Sequence, residues 1–422
     1  MLKTSFSYNS ICFLLLLGYI VFIPIGPFPV YIVAELRLDV TIGMLLLAFV
    51  IIYISKIQLY ANIFIATWVF YFFIVFVSAY LSVDTALSFS NAFVMFGYSI
   101  IALLVPVIFS NRGDTIRKWF FLFGALVSVV IIYLYIFKGF AQDHRFALGA
   151  ADMSKGAARV EEVATVDPNM TAAGLLLSLI VYFPNLFEIR RRYSLDFLGI
   201  LCIISASLVT LSRSAMIGFV FAILFSLLIV FVSAIDFNKR FIRNKKFIIL
   251  STLLLVAIPV VVVFGDAMFL AIIDKLSSRM LGGNDDSIRI YLLLNAWDVF
   301  VSDTKTILIG SGFMTTNPHN EYMRTLSTMG MLGFIASILF LVSMFYFSVK
   351  ELACNHRKMF SALSIIIFVM VISLFYGYTK LIWSAWMFLL LLYSESRFSL
   401  NDRRGQQNNF LRYRSFFENY KS

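Results

Sequence analysis

Charge is what this chain has least of. Only 14% of its 422 residues are charged, against 61% hydrophobic, and the mean hydropathy is +0.91. A soluble domain cannot keep so much apolar surface from water, so a water-soluble globular enzyme is excluded and a polytopic membrane protein is implied. Cysteine is almost as scarce, with three in the chain. Cys12 and Cys202 fall in apolar runs and Cys354 in a basic stretch, which excludes a disulfide and any cysteine chemistry. There are also only three histidines, His144, His319 and His356, and no Asp/Glu/His set has metal-ligand spacing. Asp285 and Asp286 are adjacent within a turn-forming run, so metal-independent chemistry with no cofactor is expected. No internal repeat and no soluble domain is visible.

The net charge of +11 excludes less than it suggests. Its basic residues gather in alternate loops, as in Arg190-Arg191-Arg192, Lys239–Lys246 and Cys354–Lys358, which is the positive-inside pattern. Basicity therefore records topology, and no nucleic-acid partner is expected.

What the chain does have is apolar length. The hydrophobic runs predict an all-α polytopic protein of about twelve spans, each of about 17–25 residues. The first span is read from Ile11 to about Ile32, uncleaved because no small-residue cleavage site follows it. The second ends at Lys56, and the third and fourth form a hairpin around Asp84. The chain then returns through Asn111–Lys118 to a fifth span, from Trp119 to Lys138. Span seven runs from about Phe197 to Leu211, turns at Ser212-Arg213-Ser214, and passes directly into span eight. Span nine is read over Phe247 to Val263. The last two spans pivot around Tyr378-Thr379-Lys380. Residues 1–394 form one transmembrane domain with long outer loops at 139–169 and 266–322, and 395–422 is a cytoplasmic tail. Both termini are placed in the cytoplasm, and all long polar segments before the tail on the outer side.

The first outer loop ends in Asp167-Pro168-Asn169, a turn followed by a helix cap. The second ends in Asn317-Pro318-His319-Asn320-Glu321-Tyr322, read as a helix start with Asn317 as cap and Pro318 in the first helical position. His319 then sits at the positive end of a helix dipole, which favours the neutral imidazole that a general base needs. Arg213 reads either as an interfacial arginine reaching to headgroups or as a bidentate phosphate ligand. Arg289 follows Gly282-Gly283-Asn284-Asp285-Asp286-Ser287 and stands two residues into a helix read from Ile288 to Val301. Arg324 is either a second phosphate ligand or the partner of Glu321. His144-Arg145 reads as solvated surface and His356 as a cytoplasmic residue.

His319-Asn320-Glu321-Tyr322, Leu326, Gly330 and Gly333 together resemble the signature of the O-antigen ligase and O-antigen polymerase family of membrane glycosyltransferases. Leu211-Ser212-Arg213-Ser214-Ala215 is similar to that family's Ser-Arg-small turn. Arg289 with Asn295-Ala296 resembles its second arginine, although Leu293 stands where an aromatic residue is usual. Gly310-Ser311-Gly312 matches its glycine turn, and a tight turn explains that segment without any phosphate-cradling role. The resemblance runs from Asp167 to Gly333, about half of the chain, in the family's order.

It implies a helical membrane glycosyltransferase architecture in the bacterial cytoplasmic (inner) membrane, with an active site facing the periplasm. Its expected substrate is an oligosaccharide linked to undecaprenyl diphosphate. Arg213, Arg289 and Arg324 are expected on the diphosphate, where fixed positive charge offsets the developing charge of the leaving group. His319 is expected to take the proton of the attacking sugar hydroxyl. Asp167, Asn169, Asn320, Tyr322, Tyr378 and Lys380 are expected to support this site or line a glycan path. A chain-length regulator, a flippase and membrane lipid are the partners implied. Asp-Pro-Asn leans the reading towards a polymerase of O-antigen, capsule or exopolysaccharide. The alternatives are a ligase delivering glycan to lipid A–core and a transporter of lipid-linked oligosaccharide. Transporters place ionisable groups and broken helices near the bilayer midplane, whereas here most charges stand at span ends.

Overall fold

A computed structural model of the chain describes residues 8–25, 31–33, 36–59, 62–137, 168–186, 194–210, 212–237, 284–314, 320–352, 355–375 and 380–396. In chain order these form α1 (Tyr8–Ile25), β1 (Tyr31–Val33), β2 (Leu36–Arg37) and α2 (Leu38–Val50), which tightens into a 3₁₀ segment, Ile51–Leu59. Then come α3 (Asn62–Tyr80), α4 (Thr85–Ile108), α5 (Gly113–Phe137), α6 (Pro168–Leu186), α7 (Ser194–Val209) and α8 (Arg213–Phe237). The remainder is α9 (Asn284–Phe300), α10 (Thr304–Ile309), α11 (Glu321–Leu352), α12 (His356–Ser373) and α13, over 380–396.

The helical class stands. Among the described residues, five helices are long and apolar enough to cross a membrane: Tyr8–Ile25, Thr85–Ile108, Ser110–Phe137, Asn169–Leu186 and Glu321–Tyr346. Val40–Ser55, Phe64–Tyr80, Leu195–Val209 and Ser214–Ile229 are shorter apolar helices. Span nine and the loop at 139–167 lie outside the described residues.

Span limits move where local chemistry outweighs hydropathy. The first helix ends at Ile25, well before Ile32, because Gly26-Pro27-Phe28-Pro29 takes away the amides and torsions a helix needs. Ile32 instead lies in β1, which pairs antiparallel with β2 through Tyr31↔Arg37 and Val33↔Leu36. The fifth helix starts at Gly113, ahead of Trp119, and so takes in Asp114 and Arg117. The hairpin at Asp84 is as expected: the Asp84 carboxylate accepts from the Leu87 amide at 3.0 Å and caps α4.

The pillar of the bundle is α6. It is apolar all round, as a helix with no water-facing side must be, and every residue of its Asn169–Leu186 window is buried. Neighbouring helices α1, α5, α7, α8 and α12 enclose it. Gly174 permits the contact with α1, because a Cβ there would press on the Ile23 and Pro24 backbone. Since α1 ends where α6 begins, the two helices run in opposite directions, and the same holds for α8 against α12. One end of the bundle therefore gathers the starts of α4, α6, α8, α11 and α13 with the ends of α1, α3 and α12. The candidate site is at that end.

Candidate functional site at the mouth of the broken helix

The mouth of α11 is built by Asn320. Its side-chain oxygen accepts from the Met323 amide at 2.9 Å, and its carbonyl accepts from the Arg324 amide at 2.8 Å. That is an N-cap, and it corrects the sequence reading of a start at Pro318 capped by Asn317: the helix begins at Glu321. Residues 315–319, and with them Asn317, Pro318 and His319, lie outside the described residues.

The other end of the Asn320 amide ties the mouth to α12, donating from Nδ2 to the Leu374 carbonyl at 2.9 Å. Two residues on, the Tyr322 hydroxyl donates to the Met370 carbonyl at 3.1 Å. Thus the described polar residues of the His-Asn-x-Tyr pattern brace one helix mouth against the end of another. Arg324 forms an ion pair with Glu321 one turn back, as the second of its two readings has it, and both side chains are largely buried. That pairing does not exclude a ligand, because guanidinium has five donors.

α11 is not continuous. At Gly330 the backbone turns to φ 67°, ψ −168°, which breaks the helix into Glu321–Met329 and a longer second part. A break leaves carbonyls without helical partners, and two of them here have donors from outside. Ser327 receives the Ser311 amide at 2.9 Å and the Ser311 hydroxyl at 3.0 Å. Thr328 receives the Gly312 amide at 3.1 Å and the Ser78 hydroxyl at 2.6 Å. The glycine turn is therefore a backbone splint whose amides at Ser311 and Gly312 are committed to α11, in line with its reading as a tight turn. Gly310, at φ 86°, and Gly330 lie so close to the opposite strand of backbone that a Cβ on either would overlap it.

The other expected residues fall around this mouth in different ways. Arg213 is the first residue of α8, which packs along α12, with Gly218 close enough that a Cβ would meet Ile372 at 2.9 Å. The start of α8 and the mouth of α11 thus share the end of α12. Arg289 belongs to α9, a neighbour of α11, but does not open it: the helix begins at Asn284 and not at Ile288. Residues 284–287, the later part of the turn-forming run, are therefore already helical. Asn169, at the start of α6, is buried. Lys380 is buried as well, with its ammonium 5.7 Å from the ring centroids of Tyr19 and Phe22. Asp167 and Tyr378 lie outside the described residues.

Below the mouth lies a cavity of about 80 Å³ which the sequence reading did not foresee. Glu321, Thr325 and Ser337 of α11 face it from both sides of the break, opposite Tyr71 of α3 and Trp383 and Trp386 of α13. Only the Glu321–Arg324 spacing hinted at it. The folding back that joins Glu321 to Ser337 depends on a backbone torsion at Gly330 that hydropathy does not record.

No protein-family model and no curated protein matches the chain.

Proposed function

We propose that the protein is a polysaccharide polymerase. It transfers a growing glycan from undecaprenyl diphosphate to the sugar hydroxyl of an incoming lipid-linked repeat unit, at the outer face of a bacterial cytoplasmic membrane. The reading is carried by one observation: the helix start bearing Arg213 and the mouth formed by Asn320–Arg324 converge on the end of the same helix, α12. In this reading the guanidinium groups of Arg213 and Arg289 neutralise the diphosphate as it leaves. His319 takes the acceptor proton, the acceptor oxygen bonds to the anomeric carbon, and the electron pair of the broken C–O bond departs with the diphosphate. A ligase using lipid A–core as acceptor would need the same donor site, so the acceptor separates the two.

A transporter of lipid-linked oligosaccharide is the second reading, and the break at Gly330 favours it, since discontinuous helices commonly form transport sites. Against it, the Ser327 and Thr328 carbonyls at this break already accept protein hydrogen bonds.

The deciding experiment supplies purified protein with lipid-linked repeat units and no ion gradient. Long glycan with release of undecaprenyl diphosphate is expected, and movement of substrate without a new glycosidic bond would end the enzyme reading. A deletion strain is expected to carry single-repeat glycan, whereas stored long lipid-linked chains would select the ligase. His319→Ala and Arg289→Ala should each abolish product at normal protein level.

A further inference from the structure

The cavity under the mouth of α11 has a composition that suits one kind of occupant. Two of its hydroxyls have their protons committed elsewhere: Thr325 Oγ1 donates to the Glu321 carbonyl at 2.8 Å, and Ser337 Oγ to the Gly333 carbonyl at 2.8 Å. What these two residues can still offer is lone pairs. The Glu321 carboxylate, bound to Arg324 through Oε2, adds further acceptor capacity. Trp383 and Trp386 supply aromatic surface on the facing wall, and Phe340 steadies both, with ring centroids at 5.7 Å and 6.2 Å.

We propose that this cavity is a saccharide subsite, in which a sugar ring lies against Trp383 and Trp386 and donates its hydroxyls to Glu321, Thr325 and Ser337. A pyranose is rich in hydroxyl donors at its edge and presents C–H groups on its face, so it matches both walls at once. A lipid tail matches only the aromatic wall, and would cover the other Glu321 carboxylate oxygen with no donor in exchange for water. The assignment deepens the glycan-transfer reading and rests on it for the origin of the sugar, which is the acceptor unit. The break at Gly330 is what makes the subsite, because it folds Glu321 back over Ser337.

The test uses the full-length protein in lipid nanodiscs and saturation-transfer NMR, with glucose, galactose and N-acetylglucosamine as probes and farnesol as the apolar control. At least one sugar should bind saturably, and Glu321→Gln should weaken it by about tenfold or more, the value of one charge-assisted hydrogen bond. Trp386→Ala should weaken it as well, and Thr325→Val provides a variant of near-equal volume if the Glu321 change lowers protein yield. Saturable farnesol binding lost in Trp386→Ala, with no sugar bound, overturns the proposal in favour of a lipid tail. Sugar binding untouched by all three substitutions overturns it too. Failure here is distinguishable from failure of the enzyme reading. Polymer made by Glu321→Gln at an unchanged KM for the lipid-linked acceptor removes the subsite and leaves the transferase. Sugar bound by a protein that never forms polymer removes the transferase alone.

Discussion

The two ends of the bundle solve the problem of polarity near a membrane in opposite ways. At the end where α5 begins, charges close upon one another. Arg117, with a side chain 2% exposed, donates to Asp114 and Glu395, and through Nε to Asn185 Oδ1 at 3.1 Å. Glu395 also holds Lys358 at 2.8 Å. Four helices, α5, α6, α12 and α13, are tied by this one cluster, and Gly113 leaves room for the Glu395 carboxylate. At the other end the ties run mostly through neutral groups: backbone amides, serine and threonine hydroxyls, and an asparagine cap. A cluster whose donors and acceptors answer each other has little left for a ligand. A mouth held mostly by backbone bonds keeps the second oxygen of its Glu321 carboxylate and its hydroxyl lone pairs for something else. This is why the site is assigned to the uncharged-looking end.

The contrast breaks most sharply at the splint. Gly310→Val places a branched side chain into the Thr328 peptide at a torsion that β-branched residues scarcely adopt, and neither side can yield without separating α10 from α11. The expected loss exceeds about 4 kcal/mol, enough to prevent accumulation of folded protein, as read by detergent-solubilised yield and monodispersity. A normally folded Gly310→Val protein would mean that the backbone contact is dispensable. Next is the charged end. Glu395→Ala removes one partner from a buried guanidinium and should cost about 3–5 kcal/mol, seen as a lowered midpoint in thermal unfolding. Exchanging Arg117 and Glu395 together for methionine and leucine should recover most of it. Glycan transfer by the surviving folded fraction should be unchanged per molecule in both, since this end touches no substrate in the proposed reading.

Much of this architecture was legible from hydropathy and caps, and the parts that were not have identifiable causes. The Asp84 hairpin was readable because an acidic cap between two apolar runs leaves few alternatives. The mouth of α11 was misplaced because Asn317 and Asn320 are both good caps in sequence. Asn320 has a second partner, the Leu374 carbonyl, and that lies 54 positions along the chain. Glu395 was assigned to a tail because its neighbours downstream are polar, whereas its own side chain answers Arg117 in a helix that runs to residue 396. The cavity was invisible for a related reason: Tyr71, Glu321 and Trp386 become neighbours only after α11 bends back on itself.

Smaller effects sharpen the same contrast within the neutral end. Ser78→Ala removes one of two donors to the Thr328 carbonyl and leaves the Gly312 amide in place, so about 1 kcal/mol is expected, well below the Gly310 effect. A loss of several kcal/mol would instead make Ser78 the main support of the break.

The smallest expected effect concerns Asp303, the cap of α10, on the segment that carries the splint. Its carboxylate accepts from the Thr306 amide at 2.8 Å and from the Thr306 hydroxyl at 2.9 Å. Those bonds, the backbone one first, hold its pKa below the ordinary carboxylate value. A carboxyl depressed in the folded state stabilises it fully above the unfolded pKa of about 4 and loses that contribution as pH falls through the folded value. Hydrogen-exchange protection of the Thr306 amide should therefore stay level from neutral pH down to about 5 and decline only below that. Asp303→Asn keeps a competent cap with nothing to titrate, so its protection should show no such decline. An identical acid decline in Asp303→Asn would show that protection of α10 is governed from elsewhere in the protein and that the Asp303 cap does not hold the segment that carries the splint.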